Sequence, residues 1–143
     1  MKKTFLIVAA LVSFTAFAFA GDALEITIDV APNVLNLQRT DDKCVTVHTN
    51  IPYDEVDCTS VTLEAEGGSI TPYLCKNDDS GNFVAKFSMA VVRELPLTPD
   101  EYNTFTLSGF KDDGEAFSGT QEIWVVDNDD PINGPNNGPK GPR

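Results

Sequence analysis

From residue 24 onward, apolar and polar positions alternate with period two, broken roughly every ten residues by turn-forming clusters. Leu24 to Val30 opens the pattern and puts Leu24, Ile26, Ile28 and Val30 on the inward face of a half-buried strand. Pro32 ends it, because proline has no N–H for a ladder. Val34 to Leu37 is a short second piece, and Asp41-Asp42 marks a turn. Cys44 to Thr49 is a strand with Val45 and Val47 on one face and Cys44, Thr46 and His48 on the other. Ile51-Pro52-Tyr53 begins a loop. The strand from Cys58 points Val61 and Leu63 inward and reaches a glycine turn at Gly67-Gly68. Ile70 to Cys75 follows, with Pro72 suiting an edge position; the first strand is the other expected edge.

The second half repeats the pattern. An acidic turn, Asn77-Asp78-Asp79-Ser80-Gly81, leads to a strand with Phe83, Ala85, Phe87 and Met89 inward. Residues 90–101 are the one helical candidate, and Pro96 and Pro99 hold it to about one turn. Tyr102 to Gly109 alternates again, with Phe105 and Leu107 inward. Lys111-Asp112-Asp113-Gly114-Glu115 is a hairpin turn by composition. Glu122 to Val126 is the last strand, with Ile123 and Val125 inward and Trp124 outward. About seven strands with regular turns predict an all-β fold, a single antiparallel immunoglobulin-like β-sandwich. Asp100-Glu101-Tyr102 ahead of an apolar strand matches the tyrosine corner of such sandwiches.

The two ends differ in kind. Residues 1–20 combine basic Lys2 and Lys3, an apolar run from Phe5 to Val12 and a small-x-small site at Ala18-Phe19-Ala20. This is a signal peptide, too short and wrongly flanked for a membrane helix, with cleavage expected before Gly21. Residues 21–127 form the sandwich domain. Residues 128–143 carry Gly-Pro pairs at 134–135, 138–139 and 141–142, too unevenly spaced for collagen, and read as a disordered or extended tail.

Charge narrows the partners. The formal charge is −12, or −14 once Lys2 and Lys3 leave with the signal peptide. Such a surface repels nucleic acid and anionic lipid and favours cationic partners or divalent metals. Export to a secreted or periplasmic location also permits disulfides. Three cysteines leave one over. If Glu66-Gly67 centres a two-residue hairpin, Cys58 falls opposite Cys75, within reach of a disulfide. A turn centred on Gly67-Gly68 spoils that register, and pairing with Cys44 is the alternative. A leftover Cys44 is either a buried thiol or an intermolecular link.

Ile28-Asp29-Val30-Ala-Pro32, Asn36-Leu37, Val45-Thr-Val47, Val56-Asp57 and Val61 together resemble an immunoglobulin-like module of exported bacterial proteins. Phe83–Phe87, Thr104–Gly109 and Asp113-Gly114-Glu-Ala-Phe117-Ser-Gly119 extend the resemblance over about residues 24–126. It implies a secreted sandwich with no defined chemistry. Such modules often carry a longer aspartate loop suited to calcium. Here Asn77 to Asn82 is shorter and lacks the alternating ligand spacing, so calcium binding does not carry over.

Chemistry has few footholds. His48 is the single histidine, in mid-strand with no nucleophile beside it, and no phosphate-cradling glycine loop is present. An enzyme is therefore not expected, and no cofactor is certain. Calcium is the cofactor that acidic turns would take if they converge: Asp78, Asp79 and Asn82 in one, Asp112, Asp113 and Glu115 in a second, Asp127, Asp129 and Asp130 in a third. Trp124, facing outward, is the candidate contact for a protein or carbohydrate partner. The expectation is a non-catalytic binding or structural module of the bacterial envelope or extracellular space. The alternatives are a calcium-stabilised adhesive or surface-layer component, and a fibre subunit completed by a neighbour's strand.

Overall fold

The computed structural model describes residues 23–38 and 44–127. The expected signal peptide, the expected tail from 128 and the expected Asp41-Asp42 turn lie outside the described residues. Two sheets stack face to face. The first holds β1 (Leu24–Glu25), β3 (Val34–Asn36), β5 (Val56–Ala65), β6 (Gly68–Ile70), β9 (Glu101–Lys111) and β10 (Ala116–Val126). The second holds β2 (Ile28–Ala31), β4 (Cys44–Pro52), β7 (Leu74–Asn77) and β8 (Asn82–Ser88). Across the sheets the orders are β1-β10-β9-β5-β6, with β3 also on β10, and β2-β4-β8-β7. This is the strand order of an immunoglobulin-type sandwich.

The core follows the alternation. Val45, Val47, Val61, Leu63, Phe83, Phe87, Phe105, Leu107, Phe117, Ile123 and Val125 are all at most 1% exposed. At ~25 cal/mol per Å² of apolar surface, each large ring contributes a few kcal/mol to folding. The helical candidate is one turn, α1 (Met89–Val92), which buries Met89 and Val92.

The opening strand is where the pattern misleads. It is not one strand. The chain starts on the six-stranded sheet as β1, parallel to β10, and crosses to the second sheet as β2. It then turns at Pro32 and returns as β3, again parallel to β10. Ile26, Ile28 and Val30 keep their inward places, but Leu24 is 39% exposed because it lies before the crossing. The crossing passes so close to β10 that a Cβ on Gly119 would sit 2.7 Å from the Ile26 carbonyl oxygen. The sandwich is therefore not wholly antiparallel, and among the described residues it has ten strand segments. The last strand is also longer than its apolar run. It begins at Ala116, since Ser, Gly and Thr at 118–120 pair as well as apolar residues do on a half-exposed sheet.

The β5–β6 hairpin turns at Glu66 and Gly67, both with positive φ (52° and 92°), the type I′ geometry. Its register sets Leu63 opposite Ile70 and Ala65 opposite Gly68. That is the register for which Cys58 and Cys75 were matched, and the Cys58–Cys75 disulfide is present, with a Cα–Cα distance of 6.3 Å. The reason differs from the hairpin argument. After Ile70 the chain leaves the first sheet, and Cys75 lies in β7 at the edge of the second. The bond joins the two sheets across the side that β6 leaves open. Both expected edges are edges, each split between the sheets.

Candidate functional site

Acidic turns come first, because the charge pointed to them. The β7–β8 turn and the β9–β10 turn lie at one end of the sandwich, on either side of the 3-10 turn Tyr53–Glu55. Tyr53 N–H donates to the Gly81 carbonyl, and Asp112 N–H donates to the Glu55 carbonyl. One carboxylate in each turn, Asp78 and Asp113, serves its own backbone. Asp78 Oδ1 accepts from Ser80 N at 2.8 Å and Asn82 N at 2.9 Å. The Asn82 N–H, helped by Ser80 and by the charge of His48, holds the Asp78 carboxyl below its ordinary range. Asp113 Oδ1 accepts from Glu115 N. Lys111 bridges Glu115 at 3.0 Å and Glu55 at 3.3 Å, and these two carboxylates raise its pKa. Asp79 is exposed in its turn, and Asn82 begins β8. Among the described residues no three His, Cys, Asp or Glu side chains gather as a metal set. The two turns belong to different sheets, which keeps Asp78 and Asp79 apart from Asp112 and Asp113. Asp129 and Asp130 of the third turn lie outside the described residues.

Outer faces of the two sheets are the remaining places. On the four-stranded sheet, Asp29, His48, Val84 and Lys76 form one cross-strand row, and Ala31, Thr46, Lys86 and Leu74 form the next. Val84 faces outward yet is 1% exposed. A shallow cleft of about 340 Å³ lies here, lined in part by His48, Lys76, Lys86 and Asp78. Cys44, half-buried, carries the free thiol. Its Sγ lies 3.7 Å from Thr46 Oγ1, and its hydrogen bond to Tyr73 raises that phenol's pKa.

On the six-stranded sheet, the β9–β10 register sets Trp124 opposite Tyr102, Glu122 opposite Thr104, Thr120 opposite Thr106 and Ser118 opposite Ser108. The β5–β9 pairing adds Thr62 beside Ser108 and Glu64 beside Thr106. Ile123 and Val125 fill the core, so all of these point outward. The face is a field of hydroxyls in rows ~4.8 Å apart across strands and ~7 Å apart along them. Thr62 Oγ1 and Ser108 Oγ lie 3.4 Å apart within it.

At one end of that field stands an apolar patch. The Trp124 and Tyr102 rings meet edge to face with centroids 4.9 Å apart. Val34 pairs with Trp124 from the other side. Val126, also outward, is 7% exposed but lies outside the core cluster. The indole Nε1 of Trp124 is buried and meets no acceptor among the described residues. A buried donor left unpaired costs ~1–3 kcal/mol, so this one is a feature to be explained.

Tyr102 is therefore half of an aromatic pair, where the sequence suggested a tyrosine corner. Asn103 ties that corner. It is fully buried, accepts from Thr98 N, and donates to the Thr98 and Glu101 carbonyls. The pairing arithmetic used on the first hairpin, centred on Asp113, places Trp124 opposite Tyr102, so the pair was legible. The unpaired indole was not.

No family model matches the chain, and no curated protein matches it. No helix of the described residues is long and apolar enough to cross a membrane.

Proposed function

We propose that this is an exported, non-catalytic β-sandwich that acts as a binding module and meets its partner on the outer face of the six-stranded sheet. The observation that carries the reading is Trp124: a half-buried indole, edge-on to Tyr102, with a buried N–H that meets no acceptor among the described residues. An aromatic pair beside rows of Thr and Ser suits an extended partner. One side of that partner stacks on rings, and its polar groups bond to hydroxyls. A peptide chain and a polysaccharide chain both have that character. Export rests on residues 1–20 and on the disulfide, which an oxidising compartment maintains.

The test is Trp124→Ala against the parent chain, assayed on peptide and polysaccharide panels with thermal melting in parallel. The expected result is a loss of binding of tenfold or more, ~1.4 kcal/mol or above, with the melting midpoint held within a few degrees. A variant that melts early, or binds as well as the parent, removes Trp124 from the partner surface.

A further inference from the structure

The outer face of the four-stranded sheet gathers positive charge in a chain that is otherwise acidic. We infer that the cleft over β4, β7 and β8 binds a compact ligand through one oxyanionic group, a carboxylate or a phosphate, met by Lys76, Lys86, His48 and Thr46. This site is separate from the hydroxyl face and stands or falls without it.

Three observations carry the inference. First, the unengaged cations collect here. The formal charge of the chain is −12. Lys111 is held by Glu55 and Glu115, and Arg93 is engaged at the end of α1. Lys76 and Lys86 both line the cleft of about 340 Å³. Among the described residues neither makes an ion pair or a hydrogen bond.

Second, the strand register makes these groups neighbours. Lys76 lies opposite Val84, and Lys86 stands two residues further along β8. The lysines are therefore diagonal neighbours on one face, with Cβ atoms ~7 Å apart. His48 pairs with Val84 from the other side, so it is diagonal to Lys86 in the same way. Thr46 is directly opposite Lys86. Lys86 thus has an ammonium, an imidazole and a hydroxyl around it. Lysine stems span such gaps and keep their heads in water, where a ligand meets them. Each of the four side chains has a hydrogen-bond donor for an oxyanion. Bonds from an ammonium to a charged oxygen are about twice as strong as neutral ones.

Third, the carboxylates nearby do not take this place and instead limit what does. Asp78 and Asp79 also line the cleft, at its turn end. Asp78 Oδ1 accepts from Ser80 N and Asn82 N, so it serves its own turn. Asp29 stands beyond His48 in the same cross-strand row. These carboxylates repel a second negative charge on the ligand, and the field of the whole acidic chain repels a polyanion. The ligand that fits is one oxyanion on a small neutral body. The volume agrees, being at the small end of the ~300–1,000 Å³ usual for ligand clefts.

The experiment is an NMR titration of the isotope-labelled parent chain with three probes: sodium phosphate, sodium glucuronate and neutral glucose. Ionic strength is held at ~0.15 M, so that only short-range charge contacts count. The expected result is saturable shifts at Thr46, His48, Lys76 and Lys86 with at least one anion, a dissociation constant of ~10 mM or below, and no saturable shift with glucose. Response to phosphate alone assigns a phosphoryl ligand, and response to glucuronate alone assigns a carboxylate. A chain carrying both Lys76→Gln and Lys86→Gln should bind about tenfold more weakly or worse, while Lys111→Gln binds as the parent does. Melting curves check folding. If the double variant melts early, Lys76→Gln alone decides, because that side chain is exposed on an edge strand.

The inference is overturned if neither anion gives saturable shifts up to ~50 mM. It is also overturned if the shifts at Lys111 and Arg93 match those in the cleft, which is general ion pairing. Equal binding of glucose, or unchanged binding by the lysine variants, overturns it as well. None of these results bears on Trp124, whose face is tested by its own variant.

Discussion

The two outer faces of this sandwich are made of the same backbone and end in opposite states. On the four-stranded sheet the outward apolar residue, Val84, is 1% exposed, in cross-strand rows that hold Lys76, Lys86, His48 and Asp29. On the six-stranded sheet the outward aromatic, Trp124, is pressed against Tyr102 but keeps a buried donor that meets no acceptor among the described residues. The difference is one of side-chain reach. Lysine stems are long enough to fold over a neighbour and keep the charge in water. Serine and threonine hydroxyls are shorter, and on this face none of them serves as an acceptor for the buried indole N–H. A long-chain polar face can close on itself, whereas the hydroxyl face leaves the indole N–H without an acceptor among the described residues.

The largest expected effect concerns what holds the two faces in one body. Changing both Cys58 and Cys75 to Ser removes a bridge of sequence separation 17 and should lower stability by ~3 kcal/mol. Chemical denaturation of the purified variant under oxidising conditions measures it. A loss below ~1 kcal/mol would mean that the sheets hold together without the bond and that each face stands on its own sheet.

Next comes a direct contrast. Val84→Ala removes two sealed methylene equivalents from the closed face and should cost ~1–2 kcal/mol. Trp124→Phe takes the unpaired donor away from the open face and should cost less than ~1 kcal/mol in spite of the smaller ring. Paired melting curves decide it, and the reverse order would erase the distinction between sealed and unfinished.

The smallest effect is in the β7–β8 acidic turn at the margin of the four-stranded face. The Asp78 carboxyl sits below its ordinary range, chiefly through the Asn82 N–H. Its contribution to stability is therefore present above about pH 4 and lost as the pH falls through the depressed value. Asp78→Asn should flatten that acid-side loss and change little near neutrality. A variant that loses stability equally at both ends would assign Asp78 a role other than capping its turn.

Legibility followed periodicity and stopped at crossings. The alternation in β4, β8, β9 and β10 reads directly into buried Val45, Phe83, Phe105 and Ile123, because period two is a local consequence of the pleat. The pattern from Leu24 to Val30 is just as regular, yet the chain changes sheets within it, and Leu24 ends in solvent. Nothing local marks such a crossing, since both sheets present an apolar face to the same core. The disulfide shows the same limit. Its partners were named by hairpin register, but the bond forms because β5 and β7 border one open side of two different sheets. The acidic turns were visible as a cluster of charge. Their placement on separate sheets, with Asp78 and Asp113 each serving its own backbone, was not.

Residue order by itself determined the all-β class, the inward set named above from Ile26 to Val125, the hairpin turns to within a residue and the outward direction of Trp124. All of these depend on neighbours within a few residues, through the pleat, proline's missing donor and the left-handed turn at Glu66-Gly67. Tertiary structure alone decided which strands share a sheet, that Asn103 ties the corner, and that the indole N–H of Trp124 is buried without an acceptor among the described residues. Those outcomes turn on which groups, distant in the chain, come within a few ångströms of one another. Hydrogen bonding and burial are set at that range.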